Sequence, residues 1–363
     1  STFSGSQVEW VEEESFFFKL SSWQERLLEF YDKNDKFILP LSRRNEVINF
    51  VKSGLKDLSV SRTSFTWGIK VPKNNKHVIY VWLDALTNYL SALNFPNTND
   101  KLYKKFWPAS LHVIGKDILR FHAIYWPAFL LAAKIEPPSR VFGHGWILSG
   151  EEKMSKSKGN ILNPLEVIKK YGIDELRYYL MKEVSHGSDG NISLKSLENC
   201  INSDLANNFG NLCQRVFSFI RNNCKNQVIK TANLSSADKN LIDQTQVLTK
   251  DLRNLINNQN LNNYIKSVID ISFLTNKYIN DEEPWKLKKA NLEKMNNILH
   301  LALEQIAKIS ILLNPIIPEK SSRVLEALNI DDKLRNLSFL DGKKLLSNDI
   351  KIKELDILFK KII

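Results

Sequence analysis

Lys153, Lys156 and Lys158 lie within six residues, together with the hydroxyls of Ser155 and Ser157. The run is Gly150-Glu151-Glu152-Lys153-Met154-Ser155-Lys156-Ser157-Lys158-Gly159-Asn160, and its flanking glycines can serve as hinges. Ammonium groups gathered this closely suit a triphosphate, and they stabilise the negative charge that develops as pyrophosphate leaves. A solvated basic loop has the same composition, and charge alone favours that plainer reading. The literal string Lys-Met-Ser-Lys-Ser shifts the balance, because it is expected by accident in about one of several thousand chains of this composition and length.

Two further sets of residues share a helix face. Ile118, His122 and Trp126 step i, i+4, i+8, a spacing that fits a helix–sheet core stripe or the wall of an apolar pocket. Asn207, Asn211 and Arg215 step the same way. Two amides and a guanidinium offer hydrogen bonds to unpaired base edges, and Trp285 offers a stacking surface. A polar solvated face and a core tryptophan account for the same residues. Asp117 is suited either to accepting from ribose hydroxyls at a sheet edge or to a helix N-terminus.

These residues need a scaffold, and the hydrophobic pattern supplies one. His77–Leu83, Leu111–Ile114 and Arg140–Phe142 are short apolar runs that read as strands buried on both faces. Helical patterns, Ala85–Leu93 and Asp117–Ala133, lie between them, and Pro127 predicts a kink in the second. Strand, helix, strand, helix, strand predicts an α/β fold with a parallel sheet. Ligands of such sheets sit beyond the carboxyl ends of the strands, here Leu83-Asp84, Gly115-Lys116-Asp117 and Gly143-His144-Gly145. Upstream, Glu9–Trp67 reads as helices with polar breaks. Ser22 and Glu25 have capping-box spacing, and Arg43–Val51 is a helix stopped by Gly54. Downstream, Asn163-Pro164-Leu165-Glu166 opens a helix that Gly172 ends. Ser193 caps the next, and Leu299, Ala302, Ile306, Ile309 and Leu313 predict a helix up to Pro315 within a bundle.

The chain has 363 residues and a formal net charge of +11, which suits a polyanionic partner such as nucleic acid, or plain solubility. No apolar run approaches the roughly 18 residues of a membrane span. Three cysteines without Cys-x-x-Cys spacing argue against a disulfide framework or a zinc site, and a reducing cytoplasm fits them. No Gly-x-Gly-x-x-Gly follows a strand, which disfavours a dinucleotide-dependent oxidoreductase.

Lys153–Ser157 resembles the second signature of class I aminoacyl-tRNA synthetases, set between a parallel-sheet strand and a helical bundle. Within that class the chain is most similar to the methionyl-tRNA synthetases. Val8-Glu9-Trp10-Val11-Glu12-Glu13-Glu14-Ser15, Ser61-Arg62-Thr63-Ser64-Phe65, Val81-Trp82-Leu83-Asp84-Ala85, His112-Val113-Ile114-Gly115-Lys116-Asp117-Ile118 and Glu283-Pro284-Trp285 carry the likeness in order.

The resemblance implies a second half of a Rossmann-like nucleotide-binding domain followed by an all-α anticodon-binding bundle. It places domain limits at 1–148, 149–192 (signature loop and stem-contact region), 193–330 (bundle) and 331–363 (a tail packing back on the body). Gly115, Asp117, His144 and Ile147 would hold adenine and ribose, and Lys153 and Lys156 would contact the phosphates and stabilise the transition state. Val81, Trp82, Ala85, Leu86, Tyr89, Ile118, His122 and Trp126 would enclose the methionine side chain. Aromatic rings suit a thioether, with a histidine N–H donating to the sulfur. Where many of the family carry proline, this chain has Leu86. Asn207, Asn211, Arg215 and Trp285 would read the CAU anticodon, and Lys169, Lys170, Arg177 and Lys182 would follow tRNA phosphates.

The implied ligands are L-methionine, ATP with Mg²⁺, and tRNA(Met) including the initiator, with no zinc in this chain, no membrane association and a monomeric state in the cytoplasm. The class's first signature, His-Ile-Gly-His, does not occur in the 363 residues. A chain truncated at its N-terminus is therefore expected, one that alone does not form methionyl-adenylate at a useful rate. A sibling synthetase for another apolar amino acid and a non-catalytic tRNA-binding module stay open at this level.

Overall fold

The structure, a computed structural model, describes residues 12–149, 152–153, 162–185, 187–230 and 234–363. The chain forms two compact units, Ser1–Gly145 and Trp146–Ile363.

In the first unit Ile38–Leu39, His112–Gly115 and Val141–His144 form a parallel sheet with Val141–His144 in the middle. Gly115 and His144 are register partners, so two strand ends meet side by side. Two of these strands are those that the apolar runs predict. Ile38–Leu39 is too short to show any period, and the reading of Glu9–Trp67 as helices misses it. Leu41–Lys52 matches its predicted helix, with Gly54 at φ +104° beyond its end. Ser22 forms no capping box. Its hydroxyl donates to the Lys19 carbonyl at 2.7 Å, and the helix starts at Gln24 after the tight turn Leu20–Trp23.

The strand expected over His77–Leu83 is corrected. It spans Asn74–Ile79 and lies in a separate antiparallel sheet between Ser61–Arg62 and Lys70–Val71. Tyr80 is an extended N-cap, and Val81–Ser91 is a helix with Asp84 in its first turn. Leu83-Asp84 is therefore no strand end.

The helix expected over Asp117–Ala133 is also less regular. It opens as the tight turn Lys116–Ile118, widens to a π turn at Phe121–Tyr125 and continues as the α-helix Trp126–Ala132. Pro127 has no N–H for the carbonyl four residues back, Ala123. The buried Tyr31 hydroxyl donates there instead, at 2.6 Å.

The second unit is mainly helical. Asn163 accepts from the Leu165 N–H at 3.0 Å and caps Pro164–Tyr171, and Gly172 at φ +111° ends it. Ser193 forms a capping box with Ser196 and opens one continuous helical run over 194–223. That run packs with Leu261–Glu282 and Leu292–Leu313 around a core including Leu205, Phe209, Ile265, Val268, Ile306 and Ile309. Each such side chain contributes about 2 kcal/mol by leaving water. The final segment returns to this body. Asp349–Lys351 pairs antiparallel with Gln227–Ile229, and Leu358 and Phe359 are buried. Among the described residues no helix is long and apolar enough to cross a membrane.

Candidate functional site

The paired strand ends of the parallel sheet bring Gly115, Asp117 and His144 together. A Cβ on Gly115 would lie 2.6 Å from Asp117 Oδ1 and 4.0 Å from His144 Cε1. Any side chain there would push the exposed Asp117 carboxylate aside, so glycine lets it lie beside the backbone of the strand end. His144 Nδ1 donates to the Gly145 carbonyl at 2.8 Å, so Nε2 is the acceptor nitrogen. The corner thus offers a carboxylate and a ring nitrogen to hydroxyl or amine donors. Ile147, expected with them, belongs to the second unit, in the strand Ile147–Ser149. That strand pairs with Gly190–Ile192 and with the Glu152–Lys153 backbone. The Lys153 side chain and Lys156 lie outside the described residues.

Next along the first unit, Val81–Ser91 and the 116–132 segment carry an aromatic group. Trp82 stacks on Phe121 with ring centroids 3.7 Å apart and planes 10° from parallel. His122 lies edge-on to Trp82 at 6.3 Å. Phe121 is absent from the sequence-derived set. Its signal is adjacency to His122 and the three-residue step from Ile118, which helical geometry puts on a shared face. Val81 and Ala85 are exposed beside these rings, and Ile118 is half-buried. Two expected members lie behind them. Leu86 and Trp126 are 1% and 2% exposed and pack with Leu90, Trp107 and Leu130, so Leu86 is core and not a pocket wall.

The polar pair in this group is closed. Nδ1 of His122 donates to the Ile118 carbonyl at 3.0 Å, and the Tyr89 hydroxyl donates to Nε2 at 2.8 Å. Burial raises the Tyr89 phenol, which keeps its proton. Burial lowers His122, against the opposing pull of the Ile118 hydrogen bond, and it stays neutral. No histidine N–H is left for a thioether, so that expected contact is corrected.

His112, behind Tyr89 at 4.2 Å between ring centroids, is pushed down to about 4 by burial and by His122. A histidine lowered in the folded state is neutral there while the unfolded chain takes up its proton near pH 6.5. Stability is therefore complete above that value and falls as pH drops towards 4. Between pH 7.5 and 5 His112 alone should cost about 2 kcal/mol in urea unfolding, and His112→Gln should flatten the profile by that amount.

The cations expected to follow tRNA phosphates divide. Arg177 donates to the carbonyls of Ile316 and Pro315 at 2.9 and 2.8 Å. Lys182 pairs with Asp204 at 2.8 Å and Glu183 at 3.0 Å. Both hold the second unit together, which spacing could not reveal. Lys170 meets Tyr171 and Glu198, and Lys169 is exposed.

On the bundle, Asn207 is exposed and Asn211 and Arg215 are half-buried on one face. Glu283 precedes Pro284, which disfavours α-helix at that residue, and it takes the left-handed conformation at φ +45°. This corner ends Leu261–Glu282 and sets Trp285, 43% exposed, beside Arg215. The guanidinium carbon lies 5.8 Å from the Trp285 ring centroid, and Arg215 also donates to Asn280 Oδ1 at 2.8 Å. A cavity of about 220 Å³ opens between Arg215, Phe219, Pro284 and Trp285. A cation and an indole at the mouth of an apolar cavity suit a flat base. Asn280 went unread because nothing in its local sequence ties it to Arg215. Among the described residues no group of three or more His, Cys, Asp or Glu is placed to hold a metal ion.

Both halves of this arrangement match known proteins. Residues 1–217 match the family described as tRNA synthetases class I (M), and residues 228–363 match the anticodon binding domain of methionyl tRNA ligase. The chain belongs to the methionyl-tRNA synthetase family. It is 47% identical to the methionine–tRNA ligase of Brucella suis over 90% of its own length and 63% of that protein's. With the Rickettsia typhi enzyme it shares 46% over 99% and 71% respectively. The crystal structure of Mycobacterium tuberculosis methionyl-tRNA synthetase bound by methionyl-adenylate superposes with a TM-score of 0.92 at 39% identity, covering 98% of this chain and 71% of that one. The chain thus spans just under two thirds of the length of the Brucella relative. Asn207, Asn211 and Arg215 fall in the stretch matched by the first description, and Trp285 in that matched by the second.

Proposed function

We propose that this chain carries the anticodon-reading bundle and part of the activating site of a methionine–tRNA ligase. The observation that bears most weight is the stacked Trp82–Phe121 pair one helical segment beyond the Gly115–Asp117–His144 corner, within a single unit. The rings take the thioether, and the corner takes adenosine through Asp117 and His144. L-Methionine's carboxylate oxygen attacks the α-phosphorus of MgATP. A new O–P bond forms, the bond to the bridging oxygen breaks, and pyrophosphate leaves with that electron pair, steadied by Lys153 and Lys156. Mg²⁺ enters with ATP as part of the substrate. The acyl group then passes from methionyl-adenylate to the 3′ end of tRNA(Met), the initiator included.

In this reading 1–148 is nucleotide-binding, 149–192 carries the phosphate loop, 193–330 reads the anticodon and 331–363 packs back on the body. Gly115 shapes the nucleotide pocket, and Val81, Ala85, Tyr89, Ile118, His122 and Trp126 shape or support the methionine pocket. The protein is a cytoplasmic monomer. Binding of the chain to tRNA(Met) at moderate salt, compared with the same RNA carrying a replaced CAU anticodon, tests the reading. The replacement should weaken binding at least roughly tenfold. Equal affinities would reduce the interaction to basic charge and overturn the anticodon assignment.

A further inference from the structure

Three residues that face a base must stand in line, and here the helix that bears them is not uniform. The run 194–223 is α-helical over Leu194–Cys200, π-helical over Ile201–Gly210 and α-helical over Asn211–Asn223. In an α-helix a step of four residues overshoots one full turn by about 40°. The wider π turn undershoots it. The step from Asn207 to Asn211 leaves the π stretch and the step from Asn211 to Arg215 is α, so the two drifts oppose each other and Arg215 returns towards the line of Asn207, where a uniform α-helix would carry it about 80° away.

One buried side chain is clamped at that place. Asn208 is 1% exposed, and its Oδ1 accepts from Ser272 Oγ at 2.9 Å and from Asn276 Nδ2 at 3.0 Å. Asn276 Nδ2 also reaches the Asn208 carbonyl at 3.2 Å, inside the π stretch. Ser272 is fully buried. The stretch tolerates no side chain at its end, since a Cβ on Gly210 would lie 2.8 Å from the Leu205 carbonyl oxygen. A polar knot in an otherwise apolar bundle costs desolvation and is not the cheapest way to fill the space. Among the described residues Asn208 Nδ2 and Asn276 Oδ1 have no partner, so the knot centres on its one shared acceptor oxygen.

We propose that Asn208, held by Ser272 and Asn276, is a positioning residue that fixes the π turn and thereby sets anticodon discrimination without touching RNA. This rests on the anticodon reading above. Among the described residues Oδ1 alone carries its side-chain bonds, so a protonated aspartic acid, which keeps that acceptor, can replace the amide and an apolar isostere cannot.

The experiment measures the affinity ratio for tRNA(Met) over its anticodon-replaced form in the 363-residue chain, with folding followed by circular dichroism. N208L should lower the ratio roughly fivefold while binding the replaced form as the parent does, and N208D should restore most of it. A residue that only stabilises the bundle would lower the melting temperature and leave the ratio alone. A folded N208L with the parent ratio overturns the proposal. Should N208L not fold, S272A decides, with a roughly twofold to threefold loss of ratio expected and an unchanged ratio overturning it. A parent chain that binds both RNAs alike overturns the anticodon reading itself, and this inference with it.

Discussion

Arg215→Ala should weaken binding of tRNA(Met) roughly a hundredfold and leave the anticodon-replaced RNA almost unaffected. The guanidinium is placed by Asn280 at 2.8 Å and lies 5.8 Å from the Trp285 ring centroid. A hydrogen bond from a charged donor contributes about 1.5–3 kcal/mol when its partner is otherwise desolvated. A base stacked on Trp285 adds about 1–3 kcal/mol, and part of this depends on Arg215 holding one edge of the cavity. Together they reach about 3 kcal/mol, or two decades in affinity. Losing one phosphate contact would instead weaken both RNAs alike. Filter binding at two salt concentrations separates the cases, because a base contact leaves the salt slope unchanged and a phosphate contact lowers it by about one. Parallel losses for both RNAs would make Arg215 a phosphate ligand and remove it from the reading face.

Much of this was legible in the residues, and the failures have physical causes. Asn163-Pro164 and Ser193 act through their own backbone within three residues, so their caps were readable. The Gly115 and Gly143-His144-Gly145 strand ends were readable because a buried parallel strand is an apolar run with an abrupt polar end. Residues 77–83 misled for the same reason. The apolar character continues from the inward face of Asn74–Ile79 into Val81–Ser91, while the change of backbone falls on Tyr80, whose side chain marks no boundary. The π turns at Phe121–Tyr125 and Ile201–Gly210 went unread because the bonds that accompany them come from distant partners, Tyr31 at the Ala123 carbonyl and Ser272 and Asn276 at Asn208. Arg177 and Lys182 looked like RNA ligands for want of their distant partners Ile316 and Asp204. Spacing shows which residues share a face, but not what that face meets.

That limit bears most on the amino-acid pocket, where the histidine expected to touch sulfur is occupied. With both nitrogens of His122 engaged, the proposed methionine pocket relies on its rings, and Trp82, stacked on Phe121, is assigned the largest share. Trp82→Ala should lower kcat/KM for methionine in the ATP–pyrophosphate exchange roughly a hundredfold, in a polypeptide of the relatives' full length. The stacked pair contributes about 0.5–1.5 kcal/mol beyond burial, sulfur–aromatic contact about 0.3–1.5 kcal/mol, and the buried apolar area the remainder. Substrate and transition state share these contacts equally, because the thioether is remote from the reacting carboxylate. The loss should therefore appear as a raised KM with kcat nearly unchanged. Leucine makes no sulfur contact and fits the stacked pair less well, so its low rate should change little and selectivity should collapse. His122 protonation should also leave no step in the exchange between about pH 8 and 7, since burial lowers that histidine below its ordinary value. A Trp82→Ala enzyme with parental KM would move methionine recognition elsewhere, and an unchanged preference over leucine would favour a synthetase for another apolar amino acid.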